Sequence, residues 1–356
     1  MTDLPGVVFS QVDKRGWGQL TGDCERFGVT RLSADYHVGF LLVPTFSMLA
    51  FLSAVEPLRV ANRLSGRPLY KWSVVSSDGA SVMANNGMSL ATDGDIDELS
   101  SFDALMVCGA HEPGNYVNTS VHTWLRRLAS RGVLLGGLET GSYLLAQARL
   151  LNGYRCTIHW ENLPGFEERF PQVEVSSELF EFDRNRATCA GGTAALDMML
   201  QIIEGHHGFD LAVAVSEVFI HSSIRKAHDA QRMTLRMRTG VTNRSLLECL
   251  ELMEANLEQP LTPDELARAV DISRRQLERL FKRHLGTTPI RYYSNVRLVH
   301  AQRLLEQTSL SVTEVALACG FPSPGHFSHR YRELFGVSPR EGRIVATRHS
   351  ARRSSS

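Results

Sequence analysis

Between Tyr36 and Gly208 the apolar residues keep changing period, and this alternation restricts the fold more tightly than any other feature of the chain. Short apolar runs, "VGFLLVP" (38–44), "YKWSVVSSDG" (70–79), "ALMVCGA" (104–110) and "VLLGGL" (133–138), alternate with helical periods in "MLAFLSAVEPLRVANRL" (48–64) and "VHTWLRRLASRG" (121–132). Strand-length runs joined through helices are βαβ units, because parallel neighbours need a crossover of about a dozen residues or more. Further strands come from "RCTIHW", "VEVSSELFEF" and "ATCAGG", and a further helix from "TAALDMMLQIIEGHHG". The expectation is a doubly wound α/β domain on a mostly parallel sheet over 36–228. An extension (1–35) precedes it, and a charged connection with little apolar period (229–244) follows.

From residue 245 to 343 every period is helical. "LTPDELARAV" opens with Thr262 as N-cap, Pro263 at N1 and Glu265 at N3, a capping box. Leu266, Ala267 and Val270 form one apolar face, a turn at Asp271-Ile272 follows, and Ser273 caps a second helix with Leu277, Leu280 and Phe281 inward. Two short helices joined by a tight turn are a helix-turn-helix, whose second helix lies in the DNA major groove. Its outward residues are Ser273, Arg274, Arg275, Gln276 and Arg279, side chains that can pair with guanine or adenine edges.

The pattern returns about fifty residues later in "SVTEVALACGFPSPGHFSHRYRELFGVSPRE". Val315, Ala316 and Cys319 repeat the first apolar face, Phe327, Tyr331 and Phe335 point inward, and Ser323, His326, Ser328, His329 and Arg332 point outward. Between the copies, "PIRYYSNVRLVHAQRLLEQT" makes a helix of about 25–30 Å, long enough to set two reading helices roughly one DNA turn apart. Charge agrees: residues 1–260 hold 22 basic and 30 acidic side chains, whereas 261–345 hold 13 and 8, and the tail adds Arg348, Arg352 and Arg353. A net charge of zero therefore hides a basic C-terminal half suited to a polyanion.

A chain of 356 residues suggests two domains. The N-terminus lacks the basic cluster and apolar run of a signal peptide, and no segment approaches the ~20 apolar residues of a membrane helix. The expectation is a soluble, cytoplasmic protein with a mobile tail at 344–356. Six cysteines stand singly, without the pairing of zinc sites, so no metal or cofactor is expected and the thiols read as packing residues.

Over 245–343 the chain resembles the AraC/XylS DNA-binding domain, on "SRRQLERLF", "RLVHAQRLLEQTSLSV" and "ALACGFPSPGHFSHRYRELFGVSP". Over 38–228 it resembles the DJ-1/PfpI, glutamine-amidotransferase-like sensor domain of GlxA-type regulators, on "FSMLAFLSAVEPLRVAN", "LETGSYLLAQARLLNG", "TIHWENLPGFEERFP" and "CAGGTAALDMMLQIIEGHHG". The combination implies a one-component transcription regulator, an activator by family precedent, acting as a homodimer with RNA polymerase as partner.

Enzymes related to the front domain carry a cysteine at the strand-to-helix elbow, where backbone amides can stabilise an oxyanion. Here that position is Glu139, and the supporting acid falls at Ala50. Thiol hydrolysis is not expected, and no catalytic residue is assigned. Glu139 and Thr140 read instead as the mouth of a pocket for a cationic or zwitterionic nitrogen metabolite: a quaternary amine or arginine, on the resemblance. Trp160 is the candidate aromatic for the cation. His159 either orients the pocket or is a satisfied structural histidine. Gly192 and Thr193 offer backbone amides to a carboxylate, and His111 and Asn115 follow a strand end where α/β proteins bind ligands. Two other readings stay open: a hydrolase with an appended DNA-binding domain, and a constitutive DNA-binding protein whose front domain only dimerises.

Overall fold

The computed structural model describes residues 35–110 and 113–344, the side chain of Asn115 excepted. The chain runs β1 (Tyr36–Leu42), α1 (Met48–Ser65), β2 (Tyr70–Ser76), β3 (Val82–Met83), β4 (Ser89–Leu90), β5 (Gly94–Asp95), β6 (Ala104–Cys108), α2 (Thr119–Ser130), β7 (Leu134–Leu138) and α3 (Gly141–Gln147). It continues through β8 (Arg155–Thr157), α4 (Leu163–Arg169), β9 (Glu174–Ser176), β10 (Phe180–Asp183), β11 (Arg186–Cys189), α5 (Ala194–His207) and α6 (Phe209–Val218).

One sheet takes the order β10-β11-β7-β6-β1-β2-β5, parallel throughout except for the antiparallel β10–β11 pair at one edge. Period-2 alternation divides its side chains between two cores. Phe40 and Leu42 of β1 join α1 and α5 on one face, while Leu41 and Val43 join α2 and α3 on the other. "RCTIHW" and the start of "VEVSSELFEF" do not extend this sheet: β8 and β9 pair with each other as a separate ribbon. The backbone N–H groups of Arg155 and Thr157 in β8 donate to the Asp183 carboxylate and the Thr188 hydroxyl, side chains of β10 and β11, at 2.9 Å each.

The helical half comprises α7 (Leu235–Thr239), α8 (Arg244–Ala255), α9 (Pro263–Ala269), α10 (Arg274–Leu285), α11 (Pro289–Gln307), α12 (Val312–Ala318) and α13 (Pro324–Phe335). Helix α7 lies inside the segment expected as connection, where Leu235 and Val241 insert into the core formed by α8, α9 and α10. A five-residue helix is too short to leave a periodic signal.

Three capping boxes fix the starts of α9, α10 and α12 through Thr262/Glu265, Ser273/Gln276 and Ser311/Glu314. The two helix-turn-helix turns place Asp271 and Gly320 in the same left-handed conformation, with φ 51° and 67°. At the second turn a Cβ would stand 2.6 Å from the Glu258 carbonyl oxygen, so only glycine fits. Helix α11 serves both units. Tyr293 packs into the first, Leu298, Ala301, Leu304 and Leu305 into the second, and Arg297 donates to the Gly320 carbonyl at 2.9 Å. Among the described residues no helix is long and apolar enough to cross a membrane.

Candidate functional site

Strand β7 ends at Leu138 and α3 begins at Gly141, so the chain turns within two residues and Glu139 adopts φ 59°. A non-glycine residue in this conformation costs roughly 1–2 kcal/mol, which the surroundings must offset. The Glu139 N–H donates to the Cys189 carbonyl at 3.0 Å, tying the turn to the neighbouring strand end. Close backbone approach does the rest. A Cβ on Gly141 would stand 2.0 Å from the Val107 carbonyl oxygen, and one on Gly191 would stand 2.5 Å from Cβ of Glu139. The Glu139 carboxylate is half-buried and, among the described residues, has no hydrogen bond or ion pair.

Cys108 and Cys189 end the strands on either side of β7, at 1% and 0% exposure. Burial, together with each other and Glu139, pushes the Cys108 thiol well above its ordinary range. Burial also drives Cys189 to about 12. Neither supplies a thiolate nucleophile at neutral pH.

Glu139 opens onto a cavity of about 610 Å³ between the α/β domain and the helical half. Tyr143, His159 and Phe166 line one side, Arg303 and Gln307 of α11 the other. Three carboxylates (Glu139, Glu161, Glu306) meet three guanidinium groups (Arg169, Arg303, Arg343) around it. The Tyr143 hydroxyl and the Gln307 Oε1 are buried without hydrogen-bond partners among the described residues, and Tyr143 is 4% exposed.

The sequence-derived candidates divide. Glu139 and His159 line the cavity. Thr140 is buried, and its hydroxyl donates to the Ala110 carbonyl. Thr193 accepts a hydrogen bond from Arg225 at 2.7 Å, and neither it nor Gly192 lines the cavity. Trp160 also falls outside the lining, contrary to its reading as a cage for a ligand cation. The guanidinium groups of Arg232 and Arg303 lie over its ring at 4.4 and 4.6 Å, so the chain's own cations occupy it. His111 lies outside the described residues; Asn115 closes a single 3-10 turn, Pro113–Asn115.

In the helical half, Ser273 Oγ accepts from the Gln276 N–H at 3.2 Å, while Gln276 Oε1 accepts from the Ser273 N–H at 2.8 Å. Arg274 is held between Asp264 and Glu278, both at 3.1 Å. These three side chains are engaged in the fold. Arg275 and Arg279 are exposed and make no side-chain hydrogen bond or ion pair among the described residues. On α13, Ser323 accepts from the His326 N–H at 3.2 Å; His326, His329 and Arg332 are exposed, and Ser328 is half-buried. Counted from the caps, Arg275 corresponds to Gly325 and Lys282 to Arg332, so the two helices offer different chemistry at equivalent places.

Residues 266–343 match the helix-turn-helix domain family and residues 40–205 the DJ-1/PfpI family. The HTH-type transcriptional regulator CdhR of Pseudomonas aeruginosa is 50% identical over 306 residues, 86% of this chain and 91% of that protein. GbdR of the same species is 48% identical over 86% of this chain and 83% of that protein. GlxA of Rhizobium meliloti is 41% identical over 85% and 94%. The chain belongs to the AraC-family HTH-type transcriptional regulators with a DJ-1/PfpI domain.

The regulator's work is DNA binding, as its relatives are transcriptional regulators; its elbow residue is a carboxylate, and Ala50, at the position where the resemblance would put a supporting acid, is buried in the apolar core. Sequence reasoning missed the far wall of its cavity. Arg303 and Gln307 sit in the spacer helix, where their spacing signals only a polar face, and Tyr143 falls in the buried run of α3.

Proposed function

We propose that the regulator senses a small zwitterionic nitrogen metabolite, a quaternary amine of betaine or carnitine type or arginine, through the Glu139 carboxylate, and that binding changes how its two helix-turn-helix units meet the promoter. The observation that carries this is an unpaired, half-buried carboxylate in a strained elbow on the wall of a cavity of about 610 Å³. Strain of this kind gathers at ligand sites, and a preformed turn presents its charge with little ordering cost.

Arg275, Arg279 and Arg332 are the DNA-reading side chains of this proposal, because their guanidinium groups are exposed and project from the two reading helices. His326, Ser328 and His329 complete the second surface. Ser273, Arg274 and Gln276 set the first helix in place. The same reading includes a homodimer on paired sites, contact with RNA polymerase as an activator, and residence in the cytoplasm beside its promoters. Sedimentation with promoter DNA and transcription in a reconstituted system address these points.

The test of effector sensing is thermal unfolding of the full chain with glycine betaine, dimethylglycine, carnitine, choline, arginine and neutral amino acids. A ligand at a hundred times its Kd stabilises its domain by about 2.7 kcal/mol. A selective shift that disappears in Glu139→Gln supports the reading. No shift with any compound, with promoter affinity equally indifferent, favours the constitutive regulator.

A further inference from the structure

The cavity has a feature that a self-contained sensor domain would lack: one wall belongs to α11, the helix that carries both helix-turn-helix units. The contact around it is specific. Gln307 Nε2 donates to the Glu161 carbonyl at 2.8 Å, and a Cβ on Gly165 would stand 2.7 Å from Cβ of Gln307, so α4 and α11 meet closely only because residue 165 is glycine. The guanidinium groups of Arg232, from the connection, and Arg303, from α11, both lie over the Trp160 ring.

Within this wall the polar groups are incompletely satisfied. Arg303 has no hydrogen bond or ion pair among the described residues; burial pulls its pKa down while the carboxylates of Glu161, Glu306 and Glu254 nearby push it up, leaving a partly desolvated guanidinium with room for a direct anion contact. The Tyr143 hydroxyl and Gln307 Oε1 are buried and unpartnered in the same lining. A buried polar group without a partner is destabilising, and a ligand atom that pairs with it recovers that loss. Each side carries both signs, Glu139, Glu161 and Arg169 on the α/β side against Arg303 and Glu306 on α11. One opposite-charge pair spans the gap, Glu139 on the α/β side and Arg303 on the α11 side.

We propose that the effector bridges the two domains, its cation against Glu139 and its carboxylate against Arg303 and the Tyr143 hydroxyl, so that the DNA-binding half supplies part of the effector site. This rests on the effector reading above and adds its anion subsite. A carboxylate-bearing ligand then favours the docked arrangement of α4 and α11 by direct contact, and its differential affinity for docked and undocked states sets the size of the switch. A cation without a carboxylate fills only half the site.

The experiment is calorimetric titration of the full chain with glycine betaine, carnitine and arginine, and with their carboxylate-free counterparts choline and agmatine. Expected is at least a tenfold loss of affinity for the binding zwitterion in Arg303→Gln, with the weak affinity for its carboxylate-free counterpart unchanged. Gly165→Ala, which pushes α11 away without altering the Arg303 side chain itself, is expected to weaken the zwitterion as well. Hydrogen exchange over 299–309 should slow on addition of the zwitterion. Loss of binding in Glu139→Gln with full affinity in both Arg303→Gln and Gly165→Ala, and no slowing in α11, overturns the bridge and leaves the effector reading standing. Equal loss for both members of a pair in Arg303→Gln also overturns it, since the arginine would then act only through docking. Absence of binding by every probe sinks both readings.

Discussion

Buried His206 shows how one residue ties stability to acidity. It is 5% exposed at the end of α5, its Nδ1 lies 2.9 Å from the Tyr70 hydroxyl, and burial, with His207 nearby, lowers its pKa from 6.5 to about 4. Above pH 6.5 the ring is neutral in folded and unfolded chains alike. As pH falls from about 6.5 to about 4 the unfolded chain takes up a proton that the folded chain refuses, so stability drops by about 3 kcal/mol and then levels off. Denaturant titrations between pH 7 and 4 should show this slope in the wild type and lose that share of it in His206→Gln. The same reasoning applies to the thiols near the elbow. Cys108 and Cys189 should resist alkylation in the native protein on the timescale of global unfolding, and rapid labelling of either would contradict their burial.

Recognition helix α10 separates side chains that build it from side chains free to act. Ser273→Ala removes one side of the capping box and should cost about 1 kcal/mol of stability, read as a lower unfolding midpoint. Arg275→Ala should leave the midpoint unchanged and cost roughly 1–3 kcal/mol at a cognate DNA site if it pairs with a guanine. Equal weakening on unrelated DNA would assign Arg275 to phosphate contact instead. Arg274→Ala is expected to have the smaller effect on DNA, because Asp264 and Glu278 already hold that guanidinium. These distinctions were partly legible in advance. Ser273 as an N-cap is local and visible in the chain; that Gln276, read there as DNA-facing, closes the capping box, and that Arg274 pairs with Asp264 across the turn, are not.

At the scale of the molecule, the 19 residues of α11 fix the separation of the two reading helices, at about 1.5 Å per residue roughly 28 Å along its axis. Footprinting should therefore reveal two protected major-groove segments about one DNA turn apart. Arg275→Ala should open one segment and Arg332→Ala the other; simultaneous loss of both from either single change would mean the units do not bind separate grooves. The front domain meets this same helix through Glu161 and Gln307, residues 146 positions apart. The helix it touches is the one that packs into both helix-turn-helix units.

The sequence by itself determined the class and the main elements, though not the short helix α7 or the separate β8–β9 ribbon. Alternating apolar periods, capping residues and a repeated helix-turn-helix pattern are local signals, and each is read within about ten residues of where it acts. It also located the elbow, since a strand running into a helix marks the turn wherever the domain is placed. Only the tertiary structure decided which charged and aromatic side chains are available. Trp160 faces the chain's own Arg232 and Arg303, the Thr193 hydroxyl is engaged by Arg225, and the cavity is closed by a helix that the sequence presents only as a spacer. The physical reason is one of range. A hydrogen bond or a stacked guanidinium depends on a partner brought close by docking, and no period or spacing along the chain encodes which surfaces dock.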